Sequence, residues 1–240
     1  MSDTVSLVTG GNKGIGLEIC RQLARKGHTV LLGSRDLKRG EEAAAKLRGD
    51  KLDVTAVKLD MQDAATFDAA RDIIAAKYGR LDVLVNNAAI GEDWQTNAAT
   101  VAVDTVRKTF EVNVFALIDL TQRLLPLLRK SQGGRVVNQS SQLGSLTLLQ
   151  TPDSGVYEVQ ALAYDASKTA VNAFTVHLAA LLKGTPIKVN SAHPGSVETT
   201  MNPSGKLTPA EGAETAVTLA TLPADGPTGG FFHRGQTLPW

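Results

Sequence analysis

VTGGNKGIGLEI, residues 8–19, places glycines at positions 10, 14 and 16, with a fourth at 11. It follows the apolar run VSLVT (5–9) and opens a stretch with helical periodicity, GIGLEICRQLARKG (14–27). A residue without a Cβ permits a tight turn and lets backbone amides approach a pyrophosphate closely, and a helix amino terminus favours negative charge. Glycines also make ordinary turns. The strand before and the helix after are the context that marks a dinucleotide fingerprint. Gly10, Asn12, Lys13, Gly14, Ile15 and Gly16 are therefore expected to cradle a dinucleotide.

Outward from that loop, short apolar runs alternate with longer helical patterns. HTVLLGS (28–34), VTAVKLD (54–60), LDVLVNN (81–87), GRVVNQS (134–140), IKVNSA (187–192) and a last run near GFFH (230–233) read as strands. Continuously apolar strands separated by helices imply a parallel sheet covered on both faces. The expected fold is α/β: one doubly wound Rossmann domain over residues 1–240, its parallel sheet of about seven strands flanked by helices. Thr208, Pro209 and Glu211 form a capping box with proline at the first helical position, which predicts a helix start there. Pro126, inside LTQRLLPLLRK (120–130), is expected to bend or interrupt its helix.

Composition excludes several classes of protein. Hydrophobic residues make up 42% of the 240 and charged residues 20%; 25 lysines and arginines face 24 acids, so the formal charge is +1. That balance provides no global field for nucleic acid or an anionic membrane. No apolar run approaches the roughly 20 residues of a membrane helix, and no leader precedes the first strand, so the cytoplasm is the expected compartment. The single cysteine, Cys20, rules out an internal disulfide and fits a buried helix face. No metal site is expected. The GxSxG elbow of α/β hydrolases and the HExxH of zinc proteases are both missing, and the four histidines are scattered.

The adenosine ribose is expected about 20 residues beyond the glycines, at the end of the second strand. LLGSRDLKRG (31–40) offers Ser34, Arg35 and Asp36 there. An acid would bond both ribose hydroxyls of NAD, whereas a 2′-phosphate needs positive charge. Arg35 together with Lys13 points to NADPH; the other reading has Arg35 solvated and Asp36 turned in to bind NAD.

AYDASKTA (163–170) places Tyr164 and Lys168 on one helical face. A free phenol, with a pKa of about 10, is a poor acid–base catalyst near neutrality, and an adjacent ammonium lowers that value. Such a phenol can protonate a carbonyl oxygen while hydride reaches the carbon. Such pairs are common on surfaces, so what converges on this one decides its meaning. A serine pair, Ser140–Ser141, ends the fifth strand, where a hydroxyl can bind a substrate oxygen. Asn113 lies in an apolar helical stretch and needs a partner or a water. Asn87 and Ala88 end the fourth strand, and Pro194 with Gly195 the sixth, where backbone can approach a carboxamide. His193, beside them, is expected to support this wall without taking part in the chemistry.

Taken in this order, TGGNKGIG, NNAA, the serine strand, YDASK and PG make the chain resemble the short-chain dehydrogenase/reductase family over nearly its whole length. VTGGNKGIGL, RDLKRG, GRVVNQSS and the tail EGAETAVTLATLPADGPTGGFF make it most similar, within that family, to cytosolic NADPH-dependent carbonyl reductases. The resemblance implies Tyr164 as proton donor, Ser141 as the hydroxyl holding the carbonyl (Ser140 if the strand register shifts by one), and Lys168 as both acidifier and ribose ligand. It implies Asn113 as the anchor of a relay water. It implies adenine contacts at Asp60 and Met61, and further cofactor contacts at Asn87, Val197 and Thr199. Two departures are visible: Ala89 stands where the family has glycine, and the segment from Ser141 to Tyr164 is longer than in minimal members but far shorter than in the vertebrate monomeric carbonyl reductases.

That segment, with residues near GEDWQTN (91–97), is expected to wall the substrate pocket, with Trp94, Gln142, Leu143 and Val156 as its lining and a small apolar carbonyl compound as the partner. The helices around 113–130 and 164–183 form a dimer face in many relatives, so a homodimer or homotetramer is open. A ketoacyl-carrier-protein reductase would need a basic entrance for its acidic carrier, and an NADP-sensing regulator would not need the full Tyr–Lys–Ser–Asn set.

Overall fold

The computed structural model describes residues 4–240. Eight strands form one sheet in the order β3-β2-β1-β4-β5-β6-β7-β8. These are β1 Val5–Val8, β2 Thr29–Ser34, β3 Val54–Lys58, β4 Val83–Asn86, β5 Arg135–Gln139, β6 Lys188–Ala192, β7 Phe231–His233 and β8 Gln236–Thr237. All pairings are parallel except the last, so the expected parallel α/β sheet is present. β8 was not expected: two exposed residues, turned back through Arg234–Gly235, carry no apolar alternation that sequence alone could register.

The helices are α1 Gly14–Arg25, α2 Leu37–Gly49, α3 Ala65–Tyr78, α4 Val103–Phe110, α5 Ala116–Leu128, α6 Leu146–Leu149, α7 Leu162–Leu181 and α8 Pro209–Ala220. One apolar layer joins Phe67 and Ile74 of α3, Leu120 and Leu124 of α5 and Leu178 of α7 to one face of the sheet. The other joins Ile19, Cys20 and Leu23 of α1, Ala44 and Leu47 of α2 and Ala213 and Ala216 of α8 to the opposite face. Cys20 is fully buried, as its place in the apolar pattern predicts, and burial pushes its thiol pKa up. Among the described residues no helix is long and apolar enough to cross a membrane.

Two helix ends bear on the sequence expectations. At α8 the capping box forms: Thr208 Oγ1 accepts from the Glu211 amide while the Glu211 carboxylate accepts from the Thr208 amide at 2.8 Å. Pro126, by contrast, does not interrupt α5, which continues to Leu128. It lies in the last turn, and both it and Gln122, whose carbonyl loses its partner, are exposed, so water can replace the missing amide. The irregularity falls earlier in that helical run: Glu111–Phe115 is a π-helical turn between α4 and α5. Such turns carry one residue more than an α-turn and recur at functional sites.

After β3 the chain crosses back to β4, which lies against the free side of β1. The carboxyl ends of β1 and β4 therefore diverge into loops running in opposite directions, leaving the crevice in which open α/β sheets bind ligands.

Candidate active site

Thr9 spans that crevice. Fully buried, its Oγ1 accepts from the amides of Asn87 and Ala88, both at 2.9 Å. The Asn87 carboxamide returns a hydrogen bond to the Thr9 carbonyl at 2.9 Å. The glycine loop is thus tied to the end of β4. Gly10 and Gly14 hold left-handed φ of 64° and 54°, and a Cβ on Gly16 would collide with the Gly10 carbonyl. These positions need glycine so that the backbone can form a close, amide-lined cradle.

The cradle opens into a cavity of about 660 Å³ that runs along the carboxyl edge of the sheet. Gly10, Asn12, Lys13, Gly14, Ile15 and Gly16 line one end of it, together with Arg35. Asp60, Met61, Asn87, Ala88 and Ala89 line the middle. Tyr164, Lys168, Pro194 and Thr199 lie along the remainder. Arg35 is exposed and, among the described residues, has no ion-pair partner. Asp36 is committed elsewhere: its carboxylate caps α2 by accepting from the Arg39 amide and pairs with the Arg39 guanidinium at 3.6 Å. That use of Asp36 disfavours the alternative in which it turns inward to bind ribose.

Two residues expected against the cofactor also pack against the chain's own loop. Gly195 (φ 88°) is backed by Leu207 and His233, and Val197 is buried beneath Gly205 and Gly212 in a bridge to Leu207. The segment 196–207 folds back on itself and buries the Val197 side chain, a tertiary contact with no signature in the local sequence.

Tyr164 and Lys168 share the inner face of α7. The Lys168 ammonium lies 5.5 Å from the centre of the Tyr164 ring and donates to the Gln139 carbonyl at 2.8 Å. Burial pulls the Lys168 pKa down to about 8. The phenol moves the opposite way to the sequence expectation. Burial first, and then the neighbouring Asp165 charge, raise its pKa, and a hydrogen bond with Ser141 opposes them only in part. Desolvation of a phenolate outweighs a cation that is itself desolvated. The phenol is consequently held protonated, the form a proton donor requires.

Ser141, not Ser140, is the hydroxyl beside Tyr164. It also caps a 3₁₀ turn, Gln142–Gly144, accepting from the Leu143 amide at 3.2 Å. Ser140 lines the cavity, but its hydroxyl faces the Lys168 carbonyl at 3.4 Å. Asn113, central in the π-turn, is fully engaged: its carboxamide accepts from and donates to the Ile90 backbone, both at 2.8 Å, and donates to Ser167 at 3.0 Å. Its side chain therefore clamps the β4 loop to α7.

Comparison with known proteins places this arrangement. The family model described as short chain dehydrogenase matches residues 4–209. The chain belongs to the short-chain dehydrogenase family. Carbonyl reductase (NADPH) 1 of Mus musculus is 34% identical over 278 aligned residues, covering all of this chain and 99% of that protein. The (+)-neomenthol dehydrogenase of Capsicum annuum is 32% identical over 306 aligned residues, covering 98% and 97%. Among solved structures, an NADPH-bound carbonyl reductase from chicken fatty liver superposes with a TM-score of 0.86 at 25% identity over the full length of both chains. The resemblance to carbonyl reductases read from the motifs is thus supported along the whole of this short-chain dehydrogenase.

The expected substrate wall is only partly assembled. Trp94 packs against Tyr164 with ring centres 4.9 Å apart and the planes tilted by 49°. Gln142 and Leu143 are half-buried in the turn after Ser141, where the Gln142 amide donates to His193 Nδ1 at 3.3 Å. Val156 is buried, 5% exposed, and packs as core. His193 stays neutral, its pKa pushed down to about 3 by burial and by His233, whose ring lies 4.8 Å away. As an acceptor at Nδ1 it supports the serine turn, consistent with its expected place.

Residues that sequence reasoning missed are Thr9, Arg39, Gln139 and Asp93. Arg39 lines the cavity near Arg35. Gln139 also lines it, with both amide atoms buried and without a partner among the described residues. A polar residue inside the apolar strand RVVNQ was the available signal. The positive-φ glycine cradle, the unpaired Arg35 and the unmet Gln139 amide together fit a phosphorylated dinucleotide ending in a polar ring substituent.

Proposed function

We propose that this protein is an NADPH-dependent oxidoreductase that reduces a ketone or aldehyde to an alcohol. The observation that carries the reading is spatial: one continuous cavity is lined by the glycine cradle and Arg35 at one end and by Tyr164 and Lys168 further along. The glycine cradle would hold the pyrophosphate, Arg35 with Lys13 and Arg39 the 2′-phosphate, and Lys168 the ribose next to the reactive ring. When bound, NADPH supplies the hydride.

The chain's own residues handle the oxygen. Ser141 donates a hydrogen bond to the substrate carbonyl, which polarises it and fixes its direction. Tyr164, protonated because its site is desolvated, donates its proton to that oxygen as negative charge develops. The resulting phenolate is stabilised by Lys168, whose pKa near 8 equips it to return a proton. Trp94 covers the outer face of Tyr164 and limits water at the reacting oxygen. Residues 1–240 act as one domain in this reading, and exposed Phe115, Val176 and Leu181 offer a face for a homodimer or homotetramer.

Incubation with a panel of small aldehydes, ketones and quinones, following NADPH and NADH consumption in parallel, tests the reading. Carbonyl-dependent oxidation of NADPH, at least about tenfold preferred over NADH, is expected from one charge-assisted contact. Tight NADPH binding with no consumption on any carbonyl would favour a sensing role instead.

A further inference from the structure

Two carboxyl groups beside Tyr164 have no part in that chemistry. Asp93 and Asp165 are 1% and 6% exposed. Asp93 belongs to the loop 91–102 that carries Trp94, and its Oδ2 accepts from the Ala163 amide at 2.7 Å. It thereby caps the first turn of α7, which has no side-chain cap of its own at Ala161. Asp165 follows Tyr164 in the same turn. Oδ1 of each acid is buried without a hydrogen-bond partner among the described residues.

Among the described residues no cation is paired with either. Of the charged groups on elements packed here, Arg107 of α4 pairs with Asp104 at 2.7 Å and Lys108 of α4 with Glu92 of the loop at 2.8 Å. Glu111 of the π-turn is a further acid, and Lys168 of α7 donates to Gln139. Two buried carboxyl groups with unmet acceptors are costly. Burial first, and then the Asp93 charge, raise the Asp165 pKa to about 7. One proton on Asp165 Oδ1, directed at Asp93 Oδ1, would satisfy both orphaned atoms and remove one of the two charges.

We propose that Asp165 and Asp93 share a proton, and that this hydrogen bond latches the loop bearing Trp94 onto the first turn of the catalytic helix. Both are positioning residues. With the proton in place, Trp94 is held against Tyr164. With it lost, two buried carboxylates repel, the loop loosens, and the Asp165 charge further opposes phenolate formation at Tyr164. Only the consequence for turnover rests on the proposed reduction; the latch itself does not.

The chain has two tryptophans, so in a Trp240→Phe background the indole signal is that of Trp94. A fluorescence titration is expected to show a transition centred near pH 7 in this parent. Asp165→Asn replaces the shared proton by a permanent N–H donor and should hold the low-pH signal across the range. Asp93→Asn, whose carboxamide can accept from Ala163 and donate to Asp165, should do the same and decides the matter if the first variant fails to fold by circular dichroism. A transition that persists in the folded variants, or its absence from the parent, overturns the latch. Because the readout needs no turnover, a chain that titrates as described but reduces no carbonyl would retain the latch and lose the proposed reaction.

Discussion

Tyr164→Phe is expected to lower kcat/KM for carbonyl reduction by about a thousandfold, within the range associated with removing a general acid, while NADPH affinity changes by less than about threefold. The ring that packs against Trp94 is retained, and among the described residues the phenol's polar neighbour is Ser141, so its loss leaves the surrounding packing intact. Lys168 keeps its bond to the Gln139 carbonyl in the variant and can still hold ribose. Steady-state rates alongside NADPH fluorescence titration separate the two effects. Comparable turnover in the variant would remove Tyr164 from the mechanism, and a large loss of NADPH affinity would make it a binding residue.

The second large effect is expected at Arg35. Arg35→Ala should weaken NADPH binding by about 10- to 100-fold, the equivalent of one hydrogen-bonded contact to a charged group, and leave NADH nearly unchanged. An exposed arginine paired with a carboxylate would contribute little, but Arg35 has no such partner among the described residues, whereas Asp36 is occupied by α2 and Arg39. Lys13 and Arg39 remain on the wall, so the loss is partial. Salt should erode the NADPH preference of the parent more than that of the variant, since screening acts on the contact removed. Equal loss for both coenzymes, measured by titration, would refute the 2′-phosphate assignment.

The parts of this molecule that were legible in the sequence are those set by local chemistry. Strand and helix alternation follows from side-chain periodicity, the glycine loop from backbone constraints, and the Thr208–Glu211 cap from hydrogen bonding within one turn. Tyr164 and Lys168 face one cleft because four residues make about one helical turn. What the sequence concealed depends on distant packing. The partners of Asn113, Ile90 and Ser167, are brought to it by the π-turn and have no signature near it in the sequence. The packing of Val197 and Gly195 against Leu207 comes from the fold of 196–207, which no local pattern announces. The phenol's acidity was misjudged for a related reason: proximity of Lys168 can be read from spacing, but the burial that overrides it cannot. Asp93 carries no motif at all, and its importance emerges only where it caps a helix some 70 residues further along.

The most direct test is where the hydrogen goes. NADPH deuterated at C4, prepared as each of its two epimers, would be incubated with the enzyme and a carbonyl compound from the active panel, and the alcohol analysed by mass spectrometry and NMR. Deuterium from one epimer alone should appear on the carbinol carbon, with the hydroxyl proton drawn from solvent, and Tyr164→Phe should yield almost none of the labelled alcohol. An alcohol formed without deuterium from either epimer, or labelled equally by Tyr164→Phe and the parent, would contradict hydride transfer assisted by this tyrosine.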